Sequence, residues 1–293
     1  MVALRIALFG FAVAGAVPAM AVVVAVPPVP GAASTAAYGI NDAGVVAGTY
    51  TDGQGSQHGF FGTLDGKYTT FDAGTGGTSA RAIDDRGVIV GFSNADSGDA
   101  AAQPIFERKR NGDIVGVTRQ GQQLFGAAYG IESAKNRFVG FWWSSNLHQA
   151  IAFRGHDGTW KEDVRIHDVH QASAARGINA HNVVVGGFFR PPMRGFVLQG
   201  RRLTVVDHPH ASATELEAIN DNGVATGQWV DRQGHTHAFL YDVATATFSD
   251  IGVKGASDVF AYGINNKGDV AVTTDKGAYV WCATRAACPS FAK

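Results

Sequence analysis

Two short segments hold the residue types best suited to chemistry. "HDVH" sets His167, Asp168 and His170 within four positions, and "DHPH" sets Asp207, His208 and His210 the same way. Neutral imidazoles beside a carboxylate are the usual ligands and outer support of zinc or a similar divalent metal. A metal held there would activate water or polarise a carbonyl, with Asp168 or Asp207 orienting a ligand or acting as base. For the aspartates there is a plainer reading, because Asp72 and Asp250 recur at the matching place and turn formation explains them.

A second set is aromatic. Tyr50, Trp142, Phe188 and Trp229 each stand two residues past a glycine, with Trp143 next to one of them. Such rings either stack the faces of sugars at low entropy cost or pack against one another in a core. Arg190, Arg194 and Asp231 follow in adjoining loops and can supply polar contacts. A third set, Asn41, Asp84, Glu132, Asn179, Asn220 and Asn265, either rings a cation or starts six tight turns. The G-x-S-x-G elbow, the P-loop, G-x-G-x-x-G and H-E-x-x-H are all missing from the chain, which lowers the expectation of an enzyme.

The elements that must position these residues are copies of one unit. "AYGIN" at 37–41 returns at 261–265. The anchor isoleucines Ile40, Ile83, Ile131, Ile178, Ile219 and Ile264 are spaced by 43, 48, 47, 41 and 45 residues. Between anchors run four short apolar stretches, punctuated by turns such as "NDAG", "DDRG", "NDNG" and "NNKG". A period in the forties with four strands per unit is the mark of a propeller blade, so the expected fold is an all-β, six-bladed β-propeller. The sixth unit lacks a fourth strand, while "VVVAV" at 22–26 is spare at the other end. The N-terminal strand is therefore expected to complete blade six and close the ring, which removes open sheet edges. Turns A–B and C–D are short and regular and share one face. The B–C and D–A loops are longer and irregular and share the other, where function is expected.

Composition bounds the partners. The chain has 293 residues, 38 of them glycine, with 17% charged and a formal net charge of −1. No excess of Lys and Arg is present to select nucleic acid or an anionic membrane. Arg5, the apolar run 6–17 and Ala19-Met20-Ala21 read as a secretory signal cleaved after Ala21. The expected organisation is a signal peptide at 1–21 and a propeller at 22–293, secreted or periplasmic, monomeric and free of the membrane after cleavage. In such a compartment Cys282 and Cys288 are expected to pair.

The repeat resembles the HAF extracellular repeat family of bacteria. The family triplet stands as His237-Ala238-Phe239, with a close copy at His58-Gly59-Phe60 and the "GIN-D-x-G-V-V-x-G" segment at 39–48. The resemblance implies a secreted repeat protein and brings no catalytic residues with it. The expected function is binding of glycan or another extracellular ligand, through Tyr50, Trp142, Phe188, Arg190, Arg194, Trp229 and Asp231, without a cofactor. The competing reading is a metal-assisted hydrolase or lyase, with zinc or another divalent metal on His167, His170, His208 and His210.

Overall fold

The computed structural model describes residues 21–94, 103–144, 149–164, 172–189, 191–283 and 288. No helix occurs among them. Strand β1 (Val22–Ala25) opens the chain. Blade one is β2 (Ala32–Ile40), β3 (Val46–Asp52), β4 (Gln57–Gly62) and β5 (Tyr68–Phe71). Blade two is β6 (Thr78–Ile83), β7 (Ile89–Ser93), β8 (Ile105–Arg108) and β9 (Ile114–Gly116). A hairpin, β10 (Thr118–Arg119) and β11 (Gln122–Gln123), precedes blade three, which is β12 (Gly126–Glu132), β13 (Arg137–Ser144), β14 (Gln149–His156) and β15 (Thr159–Asp163). Blade four is β16 (Ser173–Ile178), β17 (Val183–Phe188), β18 (Arg194–Gln199) and β19 (Arg202–Val206). Blade five is β20 (Ala213–Ile219), β21 (Val224–Val230), β22 (Thr236–Asp242) and β23 (Thr247–Ile251). Blade six is β24 (Val259–Ile264), β25 (Val270–Thr274) and β26 (Gly277–Cys282), completed by β1.

The closure is antiparallel, with Val22 opposite Cys282 and Ala25 opposite Tyr279. Cys282 is bonded to Cys288, so the chain beyond β26 is stapled beside the closing strand. Blade three departs from the expected four strands. The β10–β11 hairpin adds to its outer edge, β10 running parallel to β15 at Thr118 and Thr159.

Both faces of each sheet are covered by neighbours, which is why the strands read as nearly unbroken apolar runs. Six apolar clusters result, one at each junction between blades. Ile178, Val184 and Phe196 meet Val139 and Ala152 between blades three and four. Ala37, Ile40 and Val46 meet Ala271, Val280 and Cys282 where blade six returns to blade one.

The A–B turns hold the ring together on the regular face. Their fourth residues need a left-handed backbone, which Gly44 and Gly223 supply at φ of 76° and 78°. Blade four uses Asn182 there at φ of 64°, and blade three, whose turn is one residue longer, uses Asn136 at the fifth position at φ of 52°. The third set of residues proves to be turn and clasp chemistry. Asn41 Oδ1 accepts from the backbone of Ala43 and Val45 while its Nδ2 donates to the carbonyl of Asp84 in the next blade. Asn179, Asn220 and Asn265 repeat this, the last donating to Asn41 across the closure. A carboxylate can accept but not donate. Where the ring carries Asp84 or Glu132, an arginine supplies the missing donor. Arg86 pairs with Asp84 and reaches Asn136, while Arg137 pairs with Glu132 and reaches Asn179 and Asn182.

Candidate functional site

Every first strand carries a β-bulge at the same place. The register shifts fall at Ala37/Gly39, Ala80/Ala82, Ala128/Gly130, Ala175/Gly177, Leu216/Ala218 and Ala261/Gly263. The residue skipped each time is Tyr38, Arg81, Tyr129, Arg176, Glu217 and Tyr262 in turn. A bulge re-aims a side chain, and here it puts Tyr38, Arg81, Tyr129 and Tyr262 into the channel wall, while Arg176 and Glu217 form a buried pair beside it. The next residue must be small, because first strands of neighbouring blades touch backbone to backbone. A Cβ on Gly177 would lie 2.7 Å from Ala218 Cα, and one on Gly263 would lie 2.5 Å from the Tyr38 carbonyl oxygen.

The six anchor isoleucines pinch the channel into two chambers. The one towards the A–B turns holds about 70 Å³ and is ringed by Asn41, Asp84, Glu132, Asn220 and Asn265, with Asp42, Asp85 and Asp221 outside them. Those outer side chains are engaged with the neighbouring turn, as Asp85 Oδ1 is with the Asp42 amide and Asp221 Oδ1 with that of Ala180. The other chamber holds about 50 Å³ and is walled by Tyr38, Arg81, Tyr129 and Tyr262.

Arg81 lines this second chamber, and Arg176, at the same repeat position, packs on the Tyr129 ring in unlike surroundings. Arg176 Nε donates to Glu215 at 2.8 Å and lies 3.8 Å from Glu217, with its guanidinium 4.0 Å from the Tyr129 ring centre. Both glutamates are buried. Burial raises the Glu217 carboxyl to about 7, against the pull of Arg176 and with the Glu215 charge adding to the rise. Gln228 donates to it at 3.2 Å. Arg81, by contrast, is held by rings alone. Its guanidinium lies 3.9, 5.1 and 5.0 Å from the centres of Tyr38, Tyr129 and Tyr262. No carboxylate of the described residues lies within ion-pair reach of it. Burial raises the Tyr262 hydroxyl far above its ordinary value, so it stays protonated.

The four aromatic slots do different work. Tyr50 and Trp229 sit opposite the repeat histidines and stack on them, Tyr50 on His58 at 5.0 Å and Trp229 on His237 at 4.4 Å. Each histidine then clasps the B–C turn. His237 meets Asp231 at 2.8 Å, and His58 bridges Asp52 and Asp72. Asp231 also accepts from the amides of Gln233 and His235, so its carboxylate is fully engaged. Phe188 departs from the expected platform: it is 6% exposed and packed in the cluster between blades three and four. Arg194 departs too, because its guanidinium is paired with Asp207, which is thereby not a free base. Arg190 lies outside the described residues.

His167, Asp168 and His170 also lie outside the described residues. His208 is stacked between Trp229, at 4.3 Å, and Phe239, and burial lowers its pKa. His210 is exposed, its ring 5.9 Å from that of His208. Among the described residues no group of three or more His, Cys, Asp or Glu side chains is placed to hold a metal.

In blade three the ring beside the aromatic slot, Trp143, opens to solvent. Trp142 Nε1 and Trp160 Nε1 both donate to Asp163, and the Arg119 guanidinium lies 4.5 and 4.4 Å from the two indoles. That buttress leaves Trp143 and Phe125 at 37% and 40% exposure, joined by a bond from the Trp143 amide to the Phe125 carbonyl. With Gln120 and Gln122 they line an open groove of about 760 Å³. The extra hairpin builds one wall of it. Trp142 was legible in the sequence, but Arg119 and Phe125 were not, since no repeat signal marks an insertion.

No protein-family model and no curated protein matches the chain. Solved structures do. A protein provisionally described as a gluconolactonase aligns at 10% identity and a TM-score of 0.52, over 90% of this chain and 92% of that one. A prolyl endopeptidase aligns at 13% identity and 0.53, over 85% of this chain but only 40% of that one. The β-propeller domain of the Trilobed protease from Pyrococcus furiosus aligns at 10% and 0.47, over 89% and 99%. The chain is a six-bladed β-propeller, and at these identities the likeness reaches the fold and stops there.

Proposed function

We propose that the protein is a carbohydrate-binding propeller whose ligand lies in the blade-three groove. One observation carries this reading: two exposed rings, Trp143 and Phe125, stand over a wall of arginine and glutamine side chains. Flat apolar faces take the C–H face of a sugar ring, and amide and guanidinium donors take its hydroxyls. Trp142 is the support beneath the platform rather than the platform. Tyr50 and Trp229 belong to the blade framework, so the expected broken ring of aromatics narrows to one blade.

The protein is proposed to be a secreted or periplasmic bacterial propeller of the HAF repeat type. The disulfide supports this, as does the start of β1 at Val22, directly after the proposed cleavage at Ala21. No helix of the described residues is long and apolar enough to cross a membrane.

The test is calorimetric titration with a panel of neutral and acidic oligosaccharides. Trp143→Ala and Phe125→Ala are each expected to weaken binding about tenfold or more, as central aromatic contacts do, with an unchanged melting temperature. A panel without any ligand, or a ligand indifferent to both substitutions, would overturn the reading.

A further inference from the structure

We propose that the channel chamber walled by Tyr38, Arg81, Tyr129 and Tyr262 is a carboxylate-binding site, separate from the groove in blade three. Arg81 and Arg176 hold the same position in the repeat, and of the two only Arg81 lines the chamber's wall. Arg176 is neutralised by Glu215 and Glu217. Arg81 reaches the same layer and meets three tyrosine rings instead. Aromatic rings engage the face of a guanidinium. They leave its five N–H donors, which point outward in the plane, without acceptors. A planar two-oxygen anion is the group whose geometry matches that fork.

The charge of the chamber points the same way. Arg81 is the one charged side chain among the residues lining the chamber, and the nearby Arg176 charge is set against Glu215 and Glu217, where burial disfavours a second full negative charge. The lining is therefore positive, in a chamber with room for only a few waters to screen it. The tyrosine hydroxyls add neutral donors. Size narrows the ligand further. About 50 Å³ admits a few waters or one small carboxylate. The isoleucine girdle forms an apolar floor beneath it. A small monocarboxylate fits whole, or a longer ligand enters by its carboxylate end and leaves towards the irregular face. The ring is also held elsewhere, by the clasps of the regular face and the clusters between blades.

The test titrates the chain with sodium acetate and, separately, sodium galacturonate. Ionic strength is kept constant with sodium chloride, and heat and melting temperature are both followed. A saturable rise in melting temperature beyond the chloride control is expected. Acetate and galacturonate binding alike identifies a site for the carboxylate itself, and galacturonate alone identifies one for the end of a larger acidic ligand. Arg81→Gln is expected to weaken binding about tenfold or more, the usual effect of losing a charged hydrogen-bonding partner. Arg81→Lys, which keeps the charge but not the fork, should fall between, and serves as the readout if the glutamine variant folds poorly. Trp143→Ala should bind acetate as the parent does. Equal binding by the parent and both Arg81 variants, no saturable effect of either carboxylate, or equal competition by phosphate and sulfate would overturn the proposal.

Discussion

The two halves of the channel are made from the same six repeats, yet they treat polar side chains in opposite ways. On the A–B side each ring asparagine has its oxygen filled by its own turn and its amide N–H given to the next blade, with Arg86 and Arg137 supplying the donor where Asp84 or Glu132 has none. Past the isoleucines, the bulge of each first strand presents Tyr, Arg, Tyr, Arg, Glu and Tyr, and one of these, Arg81, ends without an acceptor. The difference teaches how to separate frame from function in a repeat protein. Residues that complete a hydrogen-bond circuit vary only within the chemistry the circuit allows. Residues at a position the fold merely aims are free to differ, and they do.

The contrast predicts a graded series of stability effects. The largest belongs to the buried charge cluster: Glu215→Ala leaves Arg176 short of its nearest carboxylate and should cost about 3–5 kcal/mol in denaturant unfolding. Next is the circuit itself. Asn265→Ala removes the acceptor for Lys267 and Asp269 amides and the donor to Asn41 at the ring closure, for about 2–3 kcal/mol. A loss as small as a surface change would mean the clasp does not hold the ring. Reduction of Cys282–Cys288 should cost about 2 kcal/mol by the chain-entropy argument for so short a loop. Arg81→Gln should cost least, within about 1 kcal/mol, the scale of the ring contacts it loses. If it proves as damaging as Asn265→Ala, Arg81 belongs to the frame.

Acidity sharpens the same comparison. Glu217 titrates near 7 in the folded chain against an ordinary 4.5. Below 4.5 both states hold the proton. Between 4.5 and 7 only the folded state keeps it, so that site loses stability as pH rises through the window and contributes no further change above it. The groups facing it are Arg176, Glu215, Arg81, Tyr262 and Gln228. Melting temperatures of Glu217→Gln and the parent across that range should converge at the acid end and separate as pH rises. Parallel curves would place the Glu217 carboxyl at an ordinary value.

The architecture was legible because its signal repeats. Ile40 to Ile264 mark the blades, and a missing fourth strand at one end with a spare apolar run at the other shows the closure. Cys282 and Cys288 lie close enough in sequence to suggest their bond. The polar ring ending each first strand was visible, and its turn chemistry was one of the readings it allowed. The channel layer was also printed in the sequence, as the residue two before each anchor isoleucine. Its meaning was hidden by the bulge. A regular strand read as buried on both faces gives no reason to expect that residue in an open channel, and six side chains some forty positions apart meet only once the ring is closed. The blade-three groove was half legible for a different reason. Trp142 follows the repeat, while Arg119 and Gln122 come from a hairpin without a counterpart among the described residues of the other blades, and Phe125 from the segment just after it.

The pairing of β1 with β26 joins the first and last strands of the propeller. Val24 lies opposite Val280, so the earliest strand of the propeller waits for nearly the whole chain before its partner exists. Blades one to five can assemble in order as they emerge, each against the one before. The sixth sheet cannot, and until it forms, β1 and the outer edge of β26 are both unpaired strands of the kind that invite mispairing with other chains. Folding of this ring therefore ends at a seam. The disulfide at Cys282 lies on that seam, opposite Val22, and sets the final strand beside its oldest neighbour.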